Sequence, residues 1–324
     1  MPLLTPELLR RLEQFQLLAA RRAKSSARGE RRSRARGQSV EFADYRNYVP
    51  GDDFRYLDWN LFARLDRLFL KLYEEERELP VRIFLDASES MTFGEPRKFD
   101  FARQVAAAIG YVALCGFDRV SVNVFPNAER ETRNAENTAS SGHIPSQSAT
   151  AIRQSAIGNR QSELALRAVR GKKSALQFFR NLGALTAGGQ VNFNDAVRRG
   201  ALAARQPGLA VVLSDLLDPD GYEAGLNSLV GRGFQVDVVQ ILAPDELAPA
   251  TFGDLRLVDA ESGDAREVTF GKFRLKAYQQ TVRNFCDRLR EFCSTRGINY
   301  FLASSDMDLG ELLLKQLRQA EVLG

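Results

Sequence analysis

Short, continuous apolar runs separated by stretches of helical periodicity constrain this 324-residue chain more than any other feature. L-A-V-V-L at 209–213 and V-D-V-V-Q-I-L at 236–242 show little polar–apolar alternation. A strand written this way is covered on both faces, which is the situation inside a parallel sheet. The pattern predicts strands near 81–86, 119–125, 209–214, 234–241 and 298–303. It predicts helices near 97–115, 173–183, 194–204, 220–231, 274–296 and 307–320. The expected fold class is therefore α/β: an open, doubly wound, mostly parallel sheet with helices on both faces.

The flanks read differently. Residues 3–20 predict an amphipathic helix, N-capped by Thr5 with Pro6 at its first position. Residues 21–37 are Arg-rich and aperiodic. The arm 1–37 carries ten basic residues against three acidic ones, so it holds +7 of a total of +4 and leaves −3 for the rest. Such a run reads as a solvated linker, or as a contact for an acidic protein or a phosphate backbone. Residues 38–80 mix aromatics with charge around the turn signal Pro50-Gly51-Asp52-Asp53 and end in an alternating strand at 68–73. They predict a surface segment packed on the main domain, aromatics inward and charges paired outward. Residues 127–165 are polar and aperiodic, an excursion that includes His143. Residues 251–270 predict a β-hairpin insertion turning at Glu261-Ser262-Gly263-Asp264.

Three cysteines, none in a C-x-x-C pair, argue against a disulfide framework. One histidine in the chain leaves little basis for a zinc site or a His-based triad. No signal-peptide core or membrane-length apolar run is present, so a cytoplasmic location is expected.

Chemistry concentrates where two predicted strands end in aspartate: I-F-L-D at Asp86 and V-V-L-S-D at Asp215. Ligands of open α/β sheets bind beyond the carboxyl ends of the strands at the switch point. If these strands are neighbours, Asp86, Ser88, Ser90 and Asp215 present two carboxylates and two hydroxyls to one crevice. That all-oxygen set suits Mg²⁺, or Mn²⁺. The same residue types equally suit helix caps and turns.

D-A-S-E-S at 86–90 resembles the D-x-S-x-S of von Willebrand factor A domains, whose metal-ion-dependent adhesion site also uses a downstream aspartate, the position Asp215 fits. Y-R-N-Y-V-P-G-D-D-F-R-Y-L-D-W at 45–59, followed by A-R-L-D-R-L-F-L-K-L-Y-E-E-E-R-E at 63–78, resembles the bacterial DUF58 family, as does the hairpin after 250. The resemblance spans roughly residues 29–320. Its signature residues here are Arg46, Gly51, Asp52, Asp53, Arg55, Asp58, Trp59 and Arg64. It implies a von Willebrand A-like (Rossmannoid) fold over 81–324, a Mg²⁺ site at Asp86, Ser88, Ser90 and Asp215, and association with AAA+ ATPases of the MoxR type. One departure stands out. The third ligand loop reads Gly188-Gly189-Gln190-Val191-Asn192-Phe193, with Val191 where a threonine ligand would align. Valine cannot coordinate a cation, which leaves Gln190 or Asn192 to contribute and weakens the expected affinity.

The expected function is a non-enzymatic protein-interaction module, an adaptor or co-chaperone. Two alternatives belong to other classes: a Mg²⁺-dependent phosphoester hydrolase with Asp86 as nucleophile, and a nucleic-acid binder using the arginine arm.

Overall fold

The computed structural model describes residues 3–15, 40–75, 78–126, 164–190, 192–249, 253–258, 265–270 and 272–313. Most of the basic arm, most of the polar excursion with His143, the hairpin turn and Val191 lie outside the described residues. In chain order the elements are α1 (Pro6–Leu12), β1 (Val40–Asn47), α2 (Trp59–Leu65), β2 (Phe69–Glu75), β3 (Pro80–Asp86), α3 (Lys98–Cys115), β4 (Arg119–Phe125) and β5 (Leu164–Arg170). There follow α4 (Ala175–Gly183), α5 (Phe193–Ala203), β6 (Leu209–Ser214), α6 (Glu223–Gly231), β7 (Gln235–Leu242), β8 (Gly253–Val258), β9 (Ala265–Phe270), α7 (Lys272–Ser294) and β10 (Asn299–Ser304). Single helical turns occur at Pro244–Leu247 and Leu309–Glu311.

Contacts divide the chain into two compact units. One comprises residues 1–19 and 79–324, the other residues 20–78. The larger unit holds a six-stranded sheet in the order β10-β7-β6-β3-β4-β5. Its strands are parallel except β5, which runs antiparallel to β4 at the edge. The chain winds outward from β3 to β4 in one direction, then resumes on the opposite side of β3 with β6. The switch point therefore falls between β3 and β6, with the crevice at their carboxyl ends.

The doubly wound, mostly parallel sheet is present as the apolar runs require, and every residue of β6 is buried. Side chains alternate along each strand. Phe84, Val212, Val236 and Val238 join Phe193 and Val197 of α5, Leu226 and Leu229 of α6, and Leu289 and Cys293 of α7 in one core. Helix α3 packs on β3, β4, β6 and β7, and meets α1 and α4 as well. This accounts for its being apolar almost all round, since a helix enclosed on several sides has no water-facing stripe. Thr5 caps α1 as expected, accepting from Leu8 N at 3.3 Å.

Two strands were not read from the sequence. β5 begins inside the stretch assigned to the polar excursion. β1 lies in the aromatic–charged segment and pairs antiparallel with β2, from Val40↔Glu75 to Asn47↔Phe69. The hairpin insertion forms as β8–β9, pairing from Gly253↔Phe270 to Val258↔Ala265.

The smaller unit bears the signature residues. Arg46 donates twice to Asp52, at 2.9 and 2.7 Å, and Val49 N–H donates to the same carboxylate at 2.8 Å. Asp53 caps a short 3₁₀ turn and pairs with Arg55 at 2.6 Å. Asp58 caps α2 through Asn60 and Leu61 N–H at 3.0 and 3.1 Å and accepts from Tyr45 O–H at 2.9 Å. Gly51 sits at φ +108°, a conformation other residues rarely adopt. Arg64 is exposed on α2. Arg46 and Arg55 pair with aspartates as expected, but the aromatics do not all turn inward: Phe54 is 61% and Trp59 60% exposed.

Candidate functional site

β3 and β6 are hydrogen-bonded neighbours in register Leu85↔Leu213, which sets Asp86 beside Ser214. Both strand-end aspartates are buried, at 3% and 2% exposure. Each uses one oxygen to close its own loop two residues on. Asp86 Oδ1 accepts from Ser88 N–H at 2.9 Å and Asp215 Oδ1 from Leu217 N–H at 3.2 Å. These are the Asx turns that short acids favour at strand ends. The turn-forming role is thus realised at both aspartates, which stand at the carboxyl ends of adjacent strands.

The second oxygens face different partners. Asp86 Oδ2 accepts from Ser214 Oγ–H at 2.5 Å. Asp215 Oδ2 accepts from Lys98 Nζ at 2.8 Å. The hydroxyls of Ser88 and Ser90 lie 3.0 Å apart, either one the donor. Burial, reinforced by the negative charge of Asp215, pushes the Asp86 carboxyl up to about 7 against the opposing pull of its bonds from Ser214 and Ser88.

The third loop is tied to the first. Gly188 N–H donates to Ala87 O at 2.8 Å and Glu89 N–H to Gly189 O at 2.9 Å. Gly189 takes φ +87°, so glycine is required there. Gln190 is exposed. Asn192 is engaged within the chain. Its Oδ1 accepts from Asp195 N–H at 2.9 Å as the N-cap of α5, and its Nδ2 donates to Asp220 Oδ2 at 2.7 Å. Phe193 N–H donates to Asp218 at 2.6 Å, which fixes the loop after β6 against the start of α5. Leu216, next to Asp215, adopts φ +59°. A bulky residue held in that region marks local strain at the crevice edge.

Three residues here escaped sequence reasoning: Lys98, Glu246 and Ser214. Lys98 is fully buried and its ammonium also donates to Glu246 Oε1 at 2.6 Å, while Glu246 Oε2 accepts from Ala243 N–H at 2.7 Å. Lysine burial alone would lower its pKa, but the two carboxylates outweigh that and hold it above the ordinary value. A signal did exist. Lys98 is the first residue of α3, where the helix dipole disfavours a cation, so a lysine there calls for a compensating anion. Among the described residues no three His, Cys, Asp or Glu side chains gather around one point. The crevice is instead a set of two carboxylates and two hydroxyls, with a lysine committed to one of the carboxylates.

A parallel-sheet α/β unit with paired acids and hydroxyls at its switch point is the class that fold and crevice define. The family described as "Protein of unknown function DUF58" matches residues 44–285, and the chain belongs to it. Uncharacterised proteins of Mycobacterium tuberculosis and Mycobacterium bovis are 27% identical over 264 residues, 81% of this chain and 74% of theirs. An uncharacterised protein of Mycobacterium avium is 36% identical over 75 residues, 23% of this chain and 42% of its own. Two solved structures show likeness over 75% of this chain and 98% of theirs. One is the conserved hypothetical protein BatB from Bacteroides thetaiotaomicron, 13% identical with a TM-score of 0.39. The other is an aerotolerance-related membrane protein from Bacteroides fragilis, 16% identical with a TM-score of 0.40. Among the described residues, no helix is long and apolar enough to cross a membrane.

Proposed function

We propose that this chain is a non-enzymatic protein-interaction module with a von Willebrand A-like sheet, an adaptor or co-chaperone for an AAA+ ATPase of the MoxR type, working in the cytoplasm. The convergence of Asp86, Ser88, Ser90 and Asp215 on the switch-point crevice carries this reading. The doubly wound, mostly parallel sheet supports the Rossmann-like part of it.

The residues present fit a hard divalent cation. Asp86 and the Ser88 and Ser90 hydroxyls form an all-oxygen set beside a second carboxylate, the ligand chemistry Mg²⁺ accepts. When bound, the ion would supply an open position for an acidic side chain of the partner. The chain's own residues do the positioning. Ser88 N–H and Ser214 O–H orient the Asp86 carboxylate, and the Gly188–Ala87 and Glu89–Gly189 bonds hold the third loop beside it. Lys98, clamped between two carboxylates as an ammonium, is not available as a general base, which favours binding over hydrolysis.

The test is a pull-down of a purified MoxR-type ATPase in Mg²⁺. EDTA, Asp86→Ala and a Ser88→Ala/Ser90→Ala double substitution should each abolish capture while far-UV circular dichroism stays unchanged. Capture that survives all three refutes the metal-bridged mechanism. Mg²⁺-dependent phosphatase turnover lost in Asp86→Asn would replace this reading with the hydrolase one.

A further inference from the structure

Lys98 is costly where it stands. It is wholly enclosed, at the dipole-disfavoured end of α3, and its burial strips the hydration of an ammonium. Buried ion pairs rarely stabilise a fold more than apolar residues of similar size would. A stability role alone is therefore a weak account of why a lysine sits between Asp215 and Glu246. Its position offers a better one. Asp215 has one oxygen held by Leu217 N–H and the other by the Lys98 ammonium, so neither is unengaged. A divalent ion gathered by Asp86, Ser88 and Ser90 has to draw on Asp215 against that lysine, and is repelled by the lysine's charge as well.

The charges point the same way. With Asp86 ionised, the charges of Asp86, of Lys98 and of the two carboxylates paired with that lysine leave an excess of two negative charges, which a divalent ion brings to neutrality. Without the lysine, the loaded cluster would remain negative and would repel an incoming carboxylate. We propose that Lys98 sets the ligand selectivity of the crevice. By pairing with Asp215 it keeps divalent-cation binding weak on its own and leaves the loaded crevice receptive to a carboxylate of an acidic partner. The inference rests on the interaction-module reading above and adds the residue that tunes its cation and carboxylate affinity.

Isothermal titration of the full chain with MgCl₂, alone and with sodium glutarate as the carboxylate probe, tests it. Lys98→Met should tighten Mg²⁺ binding by about tenfold or more and weaken glutarate binding to the Mg²⁺-loaded protein. The double variant Lys98→Met/Glu246→Gln leaves the net charge unchanged and removes one of the two carboxylates the lysine satisfies. It provides a folded alternative if the single variant fails to fold. It should also tighten Mg²⁺ binding, because Asp215 is released in both. Thermal melts establish that the variants tested are folded. Mg²⁺ affinity equal to or below wild type in a folded variant, with wild type binding, overturns the inference alone. No heat from wild type or either folded variant, with or without glutarate, overturns the metal-dependent reading and this inference with it.

Discussion

Asp86 loses nearly all its water at the end of β3, and the charge of Asp215 lies close by. Together they push its carboxyl up to about 7, against an unfolded value of 3.8. A folded state that holds a proton the unfolded chain has already released loses stability as pH rises through that interval. In EDTA, stability should therefore fall between pH 4 and 7 from this group and level off above it. Asp86→Asn removes the ionisation. It should be more stable than wild type at pH 8, by roughly a few kcal/mol, and close to wild type at pH 4.5. Urea midpoints at the two pH values read this out, and a difference independent of pH would contradict it. The four crevice residues named from the sequence were legible because their spacing is local: D-x-S-x-S on one strand end, L-S-D on another. Lys98 was not, because its partners Asp215 and Glu246 lie 117 and 148 residues away along the chain. Only the crossover that lays α3 against β6 and the turn after β7 brings those charges together. The local sequence offered a cation at a helix start and no more.

The elements most readable in advance were those whose burial pattern is their own. β4 and β6 coincide with their expected bounds, and α3 begins one residue from its expected start, because a strand covered on both faces and a long enclosed helix announce themselves by apolar content. β1 and β5 were missed for the opposite reason. β5 is a sheet edge, where one side of the backbone needs no partner and the sequence is less constrained. β1 belongs to a two-stranded ribbon whose register shifts between Phe42 and Asp44, so a single alternation does not run through it. Close packing between elements leaves a sharper mark. A Cβ added at Gly200 of α5 would lie 2.5 Å from Phe84 Cε1 and 2.7 Å from Asn123 Nδ2, between β3 and β4. Gly200→Ala should lift α5 from the sheet and cost about 1–3 kcal/mol, as overpacking of a filled core does. Gly183→Ala, where nothing lies within 4 Å, should be neutral or stabilise by up to about 1 kcal/mol. Chemical denaturation of the pair isolates the packing effect from the helix-propensity gain common to both. Because Asn192 caps α5, a disturbed helix should also loosen the loop that Asp218 and Asp220 hold to it.

Contacts across the whole molecule attach residues 1–19 to the unit that contains the sheet, although 20–78 form a unit of their own. The sequence suggested an arm over 1–37, helix and basic linker alike. Its helix, however, is pinned where it is described. Leu12 has no exposed surface. Glu13, just beyond α1, accepts from Tyr111 O–H of α3 at 2.7 Å and pairs with Lys172 at 2.8 Å. Those bonds, the one from Lys172 first, hold the Glu13 carboxyl below the usual range. Nothing in the spacing of Leu8, Leu9 and Leu12 says what such a stripe will cover, since any apolar face would satisfy it. The tertiary partner is what turns a marginal seven-residue helix into a fixed one. The contribution should be unequal between the two anchors. Leu12→Ala removes a fully buried side chain from a filled site and should cost about 2–5 kcal/mol. Glu13→Gln breaks a pair whose side chains are 40% and 56% exposed, so water screens it and its effect should be much the smaller of the two. Urea titrations at low and high salt separate the two: the small Glu13 effect should shrink as salt screens it, and the Leu12 effect should not. If Leu12→Ala left the midpoint within about 0.5 kcal/mol of wild type, α1 would not be part of the cooperative unit that carries the crevice.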